Sequence, residues 1–83
     1  PLITALRANS SYVQVAAFSN PRSAKQTIDR LGERYPVAVL SHDATESSVY
    51  RIFVGPLNED EKGSALYSVR NRGFRDAFVR DNK

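Results

Sequence analysis

Arg51 interrupts an otherwise apolar run, Val49-Tyr50-Arg51-Ile52-Phe53-Val54, and Gln14 stands between Val13 and Val15. A glutamine or an arginine in such company has no packing reason to be there unless its face meets water or a ligand. Tyr12, Phe53 and Phe78 share the spacing parity of these two polar residues. Together with Val49 they predict a shallow platform that stacks on flat rings and hydrogen-bonds polar groups, an arrangement suited to sugars and bases alike. Cross-strand packing of a few aromatics on an open sheet face is the plainer alternative.

Other chemistry is weaker. His42 is the only histidine, next to Asp43 and near Ser41, Ser47 and Ser48. Adjacent strand residues point to opposite faces, so they do not align as base and orienter, and no nucleophile elbow is present. No catalytic residue is therefore assigned. Glu59, Asp60 and Glu61 suggest a metal cluster or an acid pair, but a helix N-terminus explains all three. No glycine-rich phosphate cradle occurs, and neither a metal site nor a cofactor is expected. Arg70, Arg72, Arg75 and Arg80 make the last quarter basic, which reads as a solvated surface.

The elements that position the platform follow from periodicity. Tyr12–Phe18 alternates as a first strand, Asn20-Pro21 is a helix start, and Ala24, Ile28 and Leu31 form the inner face of a helix over Asn20–Glu33. Pro36–His42 is a second strand, Asp43–Ser48 a hairpin loop, and Val49–Gly55 an antiparallel third strand. Asn58 with the acidic residues after it opens a second helix, with Ala65, Leu66 and Val69 inward and Arg70, Arg72 and Gly73 at its end. Phe74–Arg80 alternates as the last strand. The β-α-β-β-α-β order predicts an α+β, ferredoxin-like architecture: a four-stranded antiparallel sheet with both helices on one face. Strict alternation would put Phe18 on the open face. The small pair Ala16-Ala17 and the turn into Asn20-Pro21 instead predict a bulge that reverses parity, sending Phe18 inward and Ala17 outward.

Eighty-three residues make one domain (11–83), preceded by a linker or accessory segment over residues 1–10 whose Leu2, Ile3 and Leu6 can pack on its edge. There is no cysteine, hence no disulfide or thiolate zinc site. The chain has no initiating methionine, signal-peptide pattern or apolar run long enough to span a bilayer, and reads as a piece of a longer protein without membrane insertion of its own. Nine arginines and three lysines give a net charge of +3, a mild bias compatible with an anionic polymer.

At this point the residues carry a resemblance. Tyr12-Val13-Gln14-Val15-Ala16-Ala17-Phe18 leading into Asn20-Pro21-Arg22-Ser23-Ala24, Val49-Tyr50-Arg51-Ile52-Phe53-Val54-Gly55-Pro56, and the closing Gly73-Phe74 resemble the SPOR (sporulation-related repeat) family. The first run is most similar to the versions at the C-terminus of rare lipoprotein A-type envelope proteins. The resemblance implies a non-catalytic periplasmic module of the bacterial envelope that binds peptidoglycan, preferring glycan strands without stem peptides at the division septum; a monomer is expected. Its contact positions fall on Gln14, Ala17, Val49, Arg51 and Phe78. Ala17 stands where a small hydroxyl residue is common and Val49 where an aromatic can occur, departures that bear on affinity.

RNA-binding RRM domains share this element order, and Arg72-Gly73-Phe74 imitates the start of their RNP1 motif. That motif belongs to the third strand, whereas this one enters the fourth, with Arg75-Asp76 where a small residue and an aromatic are required. No nucleic-acid partner is therefore expected. A protein-interaction or regulatory module of the same fold is the remaining alternative, for which the helix faces and the Asp43–Ser48 loop would matter more.

Overall fold

The computed structural model describes residues 2–3, 5–43 and 48–82. Its elements are β1 (Leu2–Ile3), β2 (Ser10–Phe18), α1 (Pro21–Gly32), β3 (Val37–Asp43), β4 (Ser48–Leu57), α2 (Lys62–Asn71) and β5 (Phe78–Asn82). Strands β3-β4-β2-β5 pair antiparallel throughout and, with the two helices, form the expected α+β architecture. One strand is additional: β1 pairs parallel with the outer edge of β3, Leu2 opposite Val39 and Ile3 opposite Leu40. Part of the segment expected as a linker or accessory piece therefore extends the sheet at its edge.

Both helices cover one sheet face. Val13, Val15, Val37, Val39, Ile52 and Val54 meet Ala24 and Leu31 of α1 and Ala65 and Val69 of α2 in a single buried cluster. Burying each larger aliphatic side chain contributes roughly 1.5–3 kcal/mol, enough to hold two short helices that would be marginal in isolation. Asn20 caps α1, its Oδ1 accepting the Arg22 N–H at 2.8 Å, and Pro21 follows at the first helical position. The hairpin joining β3 to β4 is antiparallel as expected, with Asp43 opposite Ser48. Its loop residues 44–47 lie outside the described residues. β4 runs further than expected, through Gly55 and the cis-linked Pro56 to Leu57.

Two expected boundaries are corrected. The second helix begins at Lys62, not Asn58, with Glu61 at its N-cap. Asn58 and Glu61 instead close a turn: the Glu61 N–H bonds the Asn58 carbonyl at 3.0 Å, while Glu61 Oε1 accepts the Asn58 N–H at 2.8 Å. The capping pattern in the sequence is thus used to turn the chain off β4. The last strand begins at Phe78, not Phe74. After Gly73, whose φ of +106° suits a helix-ending glycine, residues 74–77 turn, and both Nε and Nη2 of Arg70 donate to the Ala77 carbonyl. Phe74 packs against the helix-side core beneath the Arg30 guanidinium, 5.5 Å from its ring centre. Alternation over Phe74–Arg80 is real in the sequence, but a tertiary anchor claims its first half.

A polar clamp joins the start of α2 to the sheet. Lys62 Nζ binds Glu59 Oε1 at 2.8 Å and Asp81 Oδ1 at 3.0 Å, and Ser11 Oγ donates to Asp81 Oδ1 at 2.6 Å. Hydrogen bonds to Glu59 and then to Asp81 raise Lys62 above the ordinary lysine range, so it stays charged.

Candidate functional site

The sheet face away from the helices is assembled by a break in the alternation of β2. Gln14 pairs with Phe53 and Ala16 with Ile52, so two residues of β2 advance against one of β4, and Val15 is the extra residue of a bulge. Beyond it the parity is reversed. Ala17 stands opposite Arg51 and is exposed, while Phe18 stands opposite Tyr50 and packs against the helix-side core, as the small pair before it predicted.

Register places the remaining residues. Gln14 is flanked by Phe53 on β4 and Phe78 on β5, and Tyr12 lies opposite Arg80. Leu40 is opposite Arg51, and His42 opposite Val49. Gln14, Val49 and Arg51 are half-buried, whereas Ala17 and Phe78 are exposed, Phe78 by 46%. Gln14, Ala17, Arg51 and Phe78 thus form a contiguous accessible patch. Beside it runs a shallow groove of about 380 Å³ whose lining includes Gln14, Ala17, Gly73, Arg75, Asp76 and Phe78.

Tyr12 and Phe53 do not join this patch. They belong to the same sheet face, but Tyr12 is 2% exposed and Phe53 is wholly buried, so of the three expected aromatics Phe78 alone stays accessible. The cause is the segment before β2. Leu6 packs on Tyr12, Ala38 and Phe53, and the Arg7 N–H donates to the Tyr12 hydroxyl at 2.9 Å. Asn82 Nδ2 fastens the segment by donating to the Leu6 and Arg7 carbonyls at 3.0 and 2.9 Å. Under this cover the two rings meet edge to face, 5.9 Å apart at 73°. Tyr12 also needs Gly55: a Cβ there would stand 2.8 Å from Tyr12 Cδ2, and the φ of +141° is one that L side chains rarely adopt.

One residue of the patch was passed over in the sequence. Arg80 shares the parity of Phe78, and its guanidinium lies 5.7 Å from the Phe53 ring centre and donates to Gln14 Oε1 at 3.4 Å. Its place in a basic quarter of the chain disguised it as solvated surface, although the alternation from Phe78 already put it on this face. The patch therefore carries two cations, an amide, an exposed ring and a small side chain. Among the described residues no acidic group forms an ion pair with either Arg51 or Arg80. Such a surface suits an uncharged or anionic ligand with flat apolar faces.

Comparison with known proteins agrees with this geometry. No curated protein matches the chain. A solved structure, the RlpA SPOR domain from Pseudomonas aeruginosa, is similar at 26% identity with a TM-score of 0.74, over 84% of this chain and 96% of that one. The SPOR domain family model matches residues 8–80, from just before β2 into β5. The chain belongs to the SPOR domain family.

Proposed function

We propose that this domain binds peptidoglycan glycan strands from which the stem peptides have been removed, and so targets the protein that carries it to the division septum of the bacterial periplasm. SPOR domains are peptidoglycan-binding modules of bacterial envelope proteins, and the domain acts here as a monomeric, non-catalytic reader. The observation that carries the finer reading is Arg51 beside the exposed Ala17, on a face too shallow to enclose a ligand. A muramic acid without its peptide keeps a free lactyl carboxylate, which a guanidinium pairs bidentately. With the peptide attached, that carboxylate is consumed in an amide and the chain is bulkier.

In this reading Gln14 hydrogen-bonds hydroxyl or acetamido groups, Phe78 lies against sugar C–H faces, and Ala17 and Val49 leave the strand room to approach. Tyr12 and Phe53 act from beneath, as the packed support of Gln14 and Arg80 rather than as contacts. Co-sedimentation with purified sacculi, before and after an amidase strips the stem peptides, is the test. Binding should rise on stripping. Indifference to the treatment would refute the preference for bare strands, and no binding to either preparation would refute the glycan reading.

A further inference from the structure

Arg80 has no part in that one-carboxylate scheme, yet it belongs to the same surface. Its guanidinium lies over Phe53, which follows Arg51 by two residues on β4, so Arg80 reaches from β5 across β2 to the strand that carries Arg51. Contact with the ring and with Gln14 leaves most of its five donors to solvent. The face thus carries two arginines, neither in an ion pair with an acidic group among the described residues, and their positive field is one that an anion relieves. A bare glycan strand is an anion of matching form: it repeats one lactyl carboxylate on every second sugar.

We infer that Arg80 is a second carboxylate-binding position, taking the lactyl carboxylate of the next muramic acid along the strand while Arg51 holds the first. The inference rests on the glycan reading above and sharpens it. The domain then responds to consecutive stripped repeats, because the second pairing is intramolecular once the first is made. An isolated stripped muramic acid engages one arginine only. Phe53, buried beneath Arg80, holds the guanidinium over the face, which gives a covered aromatic a role in recognition.

The experiment measures binding, by calorimetry or amide chemical shifts, of a disaccharide with one free lactyl carboxylate and of a tetrasaccharide with two. A tetrasaccharide with both carboxylates converted to methylamides is the control. The wild-type protein should bind the free tetrasaccharide about tenfold or more tighter than the disaccharide. Arg80→Gln should erase that gain, weakening the tetrasaccharide far more than the disaccharide, whose contact Gln14 loses only its Arg80 neighbour. Arg80→Lys should keep part of the gain, and Arg51→Gln should weaken both ligands. Equal weakening of both ligands by Arg80→Gln, or no weakening of either, would overturn the second position while leaving the glycan reading standing. Equal binding of the free and the amidated tetrasaccharide by wild type would also overturn it. Failure of the wild-type protein to bind any of the saccharides would be a different result, removing the glycan reading and this inference together.

Discussion

Arg51 and Phe18 face opposite ways from adjoining strands, and each has a distinct expected phenotype. Arg51→Ala removes a solvent-accessible charge next to Ala17 and leaves the core intact, so the variant should melt as wild type does. Its sacculus binding should fall tenfold or more, since a charge-assisted contact contributes roughly 1.5–3 kcal/mol. Arg51→Lys should recover only part, because an ammonium does not present the planar fork. Phe18→Ala empties a half-buried place in the helix-side core and should cost about 2–4 kcal/mol, read as a fall in melting temperature of about 10 °C or more. A Phe18→Ala protein that melts normally but no longer binds sacculi would show that the ring serves the ligand face.

At the scale of elements, the clamp among Ser11, Glu59, Lys62 and Asp81 ties the first turn of α2 to β2 and β5. Folding raises Lys62 above its ordinary value, so its contribution to stability is complete below the unfolded-state pKa and is lost as pH rises through the folded-state one. Lys62→Met should therefore lower the melting temperature by a constant amount from about pH 7 to about pH 9. Above the folded-state value the two proteins should converge. A gap that persists there would mean that the lysine stem packs α2 onto the sheet and its charge does not matter.

At the scale of the whole molecule, the candidate face is partly covered by the segment before β2, a cover that argues against an RNA reader of the same topology. A base-stacking sheet needs its central aromatics free, whereas here Tyr12 and Phe53 lie under Leu6 and Arg80. RNA binding would rest on several phosphate contacts and collapse steeply with salt. Binding through two arginines, an amide and one exposed ring should decline only modestly. Sacculus binding should persist at physiological salt and resist an excess of single-stranded RNA. Displacement by RNA with a steep log–log salt dependence would reverse the assignment.

Local patterns in the chain were sufficient for the element order, the antiparallel pairing of the main strands, the Asn20 cap, the parity reversal that turns Phe18 toward the helix side, and the family. Each of these depends on neighbours within a few residues: alternation, a capping side chain, a small pair that tolerates a bulge. What only the tertiary structure decided involves residues far apart in sequence. Tyr12 and Phe53 have the parity of an open face and are buried because Leu6 lies across them, held by Asn82 from the other end of the chain. Phe74 alternates like a strand residue and leaves the strand because the helix-side core claims its ring. Arg80 reads as solvated surface until Phe53 and Gln14 are brought beneath it. Period and propensity specify which way a side chain points from its own strand, but whether anything covers it depends on where the rest of the chain packs.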